Sequence, residues 1–256
     1  QQKDKILSDK QKSDKLSPIE DPNLFKGKHK TKAMVLGVFH FSNPGLDSYK
    51  RKFSFDILEE KGFQINDIMD YTSAEEDGIF LEGTGSIILD RENEIAYCAL
   101  SPRADEELFI EFCEDFEYNP VIFEAYQTVN GETKHIYHTN VMMCIAETFA
   151  VICADCIDDK AERKMVLQKL KESGKEIILI TEEQVNNFAG NMLQVRGAND
   201  ERFLIMSDAA YNVLTNEQIT KIEKHCKILH ASLDIIEAFG GGSARCMMAE
   251  VFLPMI

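Results

Sequence analysis

The amino-acid sequence predicts an α/β fold built from one repeated unit, two strands, a helix and a third strand, set around a common axis. Three observations predict it. From Gly78 onward the same order of elements occurs three times, with a period of about 55 residues. One polar residue at the start of each unit keeps that spacing, since Glu82, His138, Asn191 and Cys246 lie 56, 53 and 55 residues apart. A chain of 256 residues with 44% hydrophobic content can also bury one substantial core. A closed ring of such units brings residues distant in sequence to one central cleft, where chemistry is expected.

Taken in order, residues 1–32 are rich in Lys, Asp, Ser and Gln and read as a polar tail ahead of a single domain, 33–256. Residues 33–70 hold a strand (Ala33 to Phe39), a helix (Ser48 to Lys61) and a strand (Phe63 to Met69), a fifth and less regular unit. Ile79 to Leu89 and Ile95 to Leu100, joined by Asp90-Arg91-Glu92-Asn93, read as a hairpin. Ser101-Pro102 opens a helix with Leu108, Phe109, Phe112 and Phe116 at helical spacing, and Asn119-Pro120 stops it before the strand Val121 to Tyr126. The second unit is a hairpin over Ile136 to Ile157, a helix over Asp158 to Ser173 and a strand over Glu176 to Ile180. The third is a hairpin over Met192 to Met206, a helix over Asn216 to Cys226 and a strand over Ile228 to Leu233.

Composition excludes several function classes. With 44 acidic against 28 basic residues the net charge is −16, which opposes binding to phosphate backbones, so no nucleic-acid partner is expected. No apolar stretch approaches the roughly 20 residues that span a bilayer, and no membrane partner is expected. Seven cysteines, an odd count scattered through apolar segments, argue against a disulfide framework and for a reducing, cytoplasmic compartment. The chain opens Gln1-Gln2 rather than with Met, so either a leading segment has been removed or the sequence is a fragment.

Three residues could carry chemistry together. Cys246 follows Gly240-Gly241-Gly242-Ser243-Ala244-Arg245, where the glycines leave room for a substrate beside a nucleophilic thiolate. The alternative is a core cysteine before the apolar run Met247 to Leu253. His138 lies in Tyr137-His138-Thr139-Asn140, where strand alternation places His138 and Asn140 on one face. Glu82, among Gly83, Thr84, Gly85 and Ser86, is suited to orient an imidazole. Each has a structural alternative, but their common phase in the repeat is not required by those alternatives.

Other motifs point elsewhere. Cys153-Ala154-Asp155-Cys156 suggests redox or zinc chemistry, yet no second pair stands at ligand spacing, and a strand over Phe149 to Ile157 places the two sulfurs on opposite faces. Gly83-Thr84-Gly85-Ser86 lacks the lysine of a phosphate loop. His225 and His230 are read as surface residues. No cofactor and no metal site is expected.

At these motifs the sequence resembles the guanidino-group-modifying, or pentein, superfamily of arginine deiminases, amidinotransferases and dimethylarginine hydrolases. Within it the sequence looks most like the arginine deiminase-related, citrulline-hydrolysing branch, over about residues 57 to 254. The runs that carry the resemblance are Phe80 to Ser86 with Leu89-Asp90-Arg91, Tyr137 to Met143, Phe188 to Gln194, and Gly240 to Pro254. The resemblance implies a five-bladed α/β propeller of ββαβ units with nucleophile Cys246, acid–base His138 and its carboxylate partner Glu82, and with Asn191 at the substrate site. In arginine-processing relatives an aspartate two residues after the histidine grips the guanidinium, whereas this chain has Asn140. A neutral amide cannot make that charge-assisted pair but can donate to a ureido oxygen and accept from a ureido N–H, which favours a citrulline-like substrate. Arg245 would lower the thiol's proton affinity or bind the substrate's carboxylate.

The first blade departs from the family. Its substrate loop is represented by Asp21-Pro22-Asn23-Leu24-Phe25-Lys26, of which Asn23 is the candidate substrate contact. Met34 to Gly45 instead resembles the opening strand of an unrelated bacterial family with a Phe-His-Phe signature, as a truncated or joined reading frame would. An incomplete first blade would leave sheet edges open. The expected activity is hydrolysis of a citrulline-type ureido group to ornithine, ammonia and CO2 through a Cys246 thiocarbamoyl intermediate. The alternatives are an arginine deiminase or dimethylarginine hydrolase, and an inactive propeller that only binds. The expected partner is a small amino-acid substrate, with homodimer assembly left open.

Overall fold

The computed structural model describes residues 32–35, 57–65, 69–129 and 131–255. Asn23, the polar tail and most of the expected first blade lie outside the described residues.

The described chain is a mixed α/β fold of small sheets. Strand β1 (Lys32–Val35) belongs to a sheet completed only at the other end of the chain. Strands β2 (Ile87–Asp90), β3 (Ile95–Leu100) and β4 (Asn119–Glu124) form one three-stranded sheet, with β2 antiparallel and β4 parallel to β3. A short hairpin, β5 (Tyr126–Val129) with β6 (Glu132–His135), follows. Strands β7 (Met143–Ile145), β8 (Phe149–Ile152) and β9 (Glu176–Leu179) repeat the first pattern, and β10 (Leu193–Arg196), β11 (Arg202–Ser207) and β12 (Lys227–Ala231) repeat it again. Strand β13 (Met248–Val251) pairs antiparallel with β1, Val35 opposite Met248.

Local chemistry explains the connections. Between β2 and β3, the Asn93 amide donates to both carboxylate oxygens of Asp90 at 3.0 Å, and Glu94 takes a left-handed φ of 54°. The parallel crossover to β4 runs through the helix Glu106–Asp115, whose Leu108, Phe109 and Cys113 are buried. Asp105 caps it by accepting from the Leu108 N–H, so the helix begins after Ala104 rather than at Ser101. The crossover from β8 to β9 uses the helix Lys160–Glu172, capped by Asp159 and burying Val166 and Leu170. The core centres on β8, all four of whose residues are buried, as a central strand covered on both faces requires.

Three expectations are corrected. The hairpin of β5 and β6 lacks the apolar alternation that marks a strand, and its second strand, Glu132–His135, is wholly exposed. The segments ahead of β2 and β7 are single helical turns, Gly83–Ser86 and Thr139–Met142, so His138 and Asn140 do not share a strand face. Strand β8 ends at Ile152, and Ala154–Cys156 forms a 3-10 turn.

Two contacts tie the sheets together. Buried Lys175, just before β9, pairs with buried Asp90 of β2 at 3.1 Å and donates to the Glu147 carbonyl at 2.9 Å. Gln184 and Gln218, each in a capping box with Thr181 or Thr215, exchange amide hydrogen bonds of 2.7 and 3.0 Å.

Candidate active site

The candidate residues come from the turns that feed the first strand of each unit. Glu82 stands five residues before β2 and His138 five before β7, whereas Asn191 and Cys246 stand two residues before β10 and β13. The four are therefore two sets, not one. The positions matching Asn191 and Cys246 in the first two units are Gly85 and Val141, the latter one residue after Asn140. Asn140 and Asn191 surround the sulfur, and Gly85 lies under the imidazole.

Glu82 and His138 meet through Nε2 and Oε2 at 2.6 Å, with the imidazole almost wholly buried and the carboxylate about a third exposed. A ring N–H donating to a carboxylate at that length is a charge-assisted bond that fixes the ring's orientation. Gly85 forms the floor under the ring: a Cβ there would lie 2.8 Å from both Cε1 and Nδ1 of His138. The Arg103 guanidinium makes a looser contact with Glu82 at 3.6 Å and stands 5.4 Å over the Tyr137 ring.

Cys246 sits in the 3-10 turn Arg245–Met247. The Asn191 amide donates to its Sγ at 3.2 Å and to the Asn140 carbonyl at 3.0 Å, while its oxygen accepts the Arg245 N–H at 2.9 Å. Asn140 Oδ1 lies 3.8 Å from the sulfur, and its Nδ2 donates to the Thr84 carbonyl at 3.1 Å. A Cβ on Gly242 would lie 3.1 Å from Sγ, so the glycine keeps that approach open. The Tyr137 hydroxyl donates to the Gly241 carbonyl at 2.8 Å, tying the glycine run to the histidine segment. Burial, and then the nearby Cys246 sulfur, raise the Tyr137 phenol above its ordinary value and keep it a donor.

Cys246 is also set apart by exposure. The other six cysteines are buried, and burial pushes the Cys98 and Cys144 thiols up to about 12 and Cys113 up to about 11. Cys246 alone is half-buried, with solvent on one side.

The structure thus brings together Glu82 with His138, and Asn140 and Asn191 with Cys246. Two expected substrate contacts are placed otherwise. Asn191 is 1% exposed and both ends of its amide are engaged by protein atoms, which makes it a holder of the sulfur. Arg245 is buried, donates to the Met248 carbonyl at 2.6 Å and pairs with Glu250 at 3.0 Å. Its guanidinium borders a different cavity, of about 320 Å³, with Ile88, Arg91, Phe112 and Glu250. Gly85, Arg103 and Tyr137 were not singled out from the sequence; for Arg103 the signal was Ser101-Pro102-Arg103 directly after a buried strand. Among the described residues no group of three or more His, Cys, Asp or Glu could hold a metal ion, and no helix is long and apolar enough to cross a membrane.

Known proteins share this fold. The chain aligns with cyanobacterial arginine dihydrolase ArgZ at a TM-score of 0.60 and 17% identity, over 88% of this chain and 31% of that one. The substrate-bound N-terminal domain of the same enzyme aligns at 0.59 and 18% identity, over 85% of this chain and 70% of that domain. C. jejuni agmatine deiminase aligns at 0.52 and 16% identity, over 84% and 66% of the two chains. The chain therefore spans about a third of the length of full ArgZ. No curated protein sequence matches the chain. The eukaryotic N,N dimethylarginine dimethylhydrolase family matches residues 7–253. Fold and match together place the chain in the pentein superfamily of guanidino-group-modifying proteins. Within that class it belongs to the N,N dimethylarginine dimethylhydrolase family.

Proposed function

We propose that the protein is a cysteine-dependent C–N hydrolase of linear ureido or guanidino amino acids that prefers a citrulline-type ureido group. The observation that carries the preference is the neutral amide of Asn140 at 3.8 Å from the Cys246 sulfur, where arginine-processing relatives use a carboxylate. In this reading the three ββαβ sheets and the β1–β13 pair are blades of one ring around the cleft.

The Cys246 thiolate adds to the ureido carbon, forming an S–C bond and moving charge onto the oxygen. His138, held by Glu82, gives a proton to the departing nitrogen as the C–N bond breaks, which releases ornithine and leaves a thiocarbamoyl group on Cys246. The imidazole then takes a proton from water as it attacks that carbon, and the carbamate released falls to ammonia and CO2. In this reading backbone N–H groups of Gly241 to Ser243 stabilise the developing oxyanion. Arg103, with a side chain 45% exposed beside Glu82, is the cation best placed for a substrate carboxylate.

Incubation with citrulline, arginine and dimethylarginine, with ornithine, citrulline and ammonia measured, tests the reading. Ornithine and ammonia from citrulline, abolished in Cys246→Ala, are expected. Asn140→Asp should move preference toward the guanidinium compounds by about tenfold or more, since a charge-assisted pair replaces a neutral one. The family match and the arginine dihydrolase fold support a second reading, in which arginine or dimethylarginine is the substrate. Turnover of those compounds alone by the unmodified protein would select it.

A further inference from the structure

Outside the cleft, the structure places two thiols side by side where strand alternation would have separated them. Cys153 follows the last residue of β8, and the 3-10 turn Ala154–Cys156 brings Cys156 back so that its S–H donates to Cys153 Sγ at 3.0 Å. The intervening Asp155 is 82% exposed on its side chain and holds Arg163 at 3.1 Å, so the loop carrying the pair borders solvent although both sulfurs lie beneath it. Arg163 also donates to the Ile157 carbonyl at 2.8 Å, which fixes the far side of the turn. With no third His, Cys, Asp or Glu completing a metal set among the described residues, dithiol chemistry is what the pair offers.

We infer that Cys153 and Cys156 form a redox-active dithiol that closes to an intramolecular disulfide by exchange with a small-molecule disulfide. Cys153 is the attacking sulfur. The hydrogen bond from Cys156 lowers its proton affinity, and the same contact, with burial, keeps the proton on Cys156. The Cys153 thiolate attacks one sulfur of RSSR, breaking the S–S bond and releasing RS⁻, which takes up the proton that Cys153 gave up. Cys156 then loses its proton and attacks the Cys153 sulfur of the mixed disulfide, releasing a second RSH. The protein loses two hydrogens and two electrons, and RSSR gains both. The dithiol lies directly behind the candidate site, because the Cys153 N–H donates to the carbonyl of Met142, the last residue of the turn that carries Asn140.

The test equilibrates the folded, reduced full chain with graded mixtures of glutathione and glutathione disulfide. Acid quenching, labelling of free thiols and mass spectrometry then follow. The expected result is the loss of the labelled thiols of Cys153 and Cys156 together, with no glutathione retained on either. Cys156→Ser should instead keep one glutathione on Cys153. Phenylarsine oxide, a trivalent arsenical that bridges paired thiols, should bind the pair in the unmodified protein and block the oxidation, a readout that needs no variant. Seven free thiols in the most oxidising mixture, a bond mapped to other cysteines, or two thiols lost in Cys153→Ser would overturn the inference.

Discussion

Gly85 shows how a single residue can govern the candidate site without reaching a substrate. Its missing Cβ is the space that the His138 ring occupies, so Gly85→Ala should push the imidazole off Glu82. The expected outcome is a fall in kcat on the order of 100-fold with KM and the thermal midpoint little changed, since small misplacements of acid–base groups carry large kinetic penalties. Exposure makes a second prediction at this scale. At neutral pH iodoacetamide should label Cys246 first in the folded protein, and Cys98, Cys113, Cys144 and Cys226 should react only in denaturant; peptide mapping distinguishes them. The contact of Glu82 with His138 was legible, because both stand in distinctive runs 56 residues apart, each five residues before a strand. Their equal spacing was a partial coincidence. Around the sulfur the contacts belong to Asn140 and Asn191, and under the imidazole to Gly85, which offers no side chain to notice. The protein contacts of Asn191 and Arg245 were hidden for another reason: sequence shows that a polar group is present, not whether protein atoms already engage it.

At the scale of elements, the reciprocal amide bonds of Gln184 and Gln218 join two helix starts from different units. Gln184→Ala should lower stability by about 1–3 kcal/mol, because the Val213 carbonyl and the Gln218 amide lose their partner. The double variant with Gln218→Ala should cost less than the sum, as denaturant titrations of all four proteins would show. The repeated Thr-x-x-Gln at 181–184 and 215–218 made these caps readable in principle, since the capping box is a local rule. The helical turns before β2 and β7 were not readable that way. Four residues carry too little periodicity to separate a turn of helix from the end of a strand, and the same shortness concealed the pairing of Cys153 with Cys156.

For the molecule as a whole, the buried pair of Lys175 and Asp90 fastens one sheet to the next. Lys175→Met should destabilise the fold by about 3–5 kcal/mol, because it leaves a carboxylate buried without its cation; replacing both partners should cost much less. Alkaline pH should loosen the same core. Folded Cys98 and Cys144 hold their protons to about pH 12, whereas unfolded thiols release theirs near pH 9. The unfolded state therefore sheds protons first, and the stability these two thiols contribute should be constant below about pH 9 and decline from there to about pH 12, as thermal melts from about pH 8 upward would show. The repeated ββαβ order was plain from the sequence because each unit is local. The pairing of β1 with β13 was not, for it joins segments more than two hundred residues apart. That pairing has a kinetic meaning. The strand directly after Cys246 finds its partner only when the two extremes of the described chain come together, the contact with the largest loop to close. A refolding chain should thus regain its sheets and helices before its thiol becomes reactive, and a ribosome-bound chain should have no competent nucleophile until its last strand emerges.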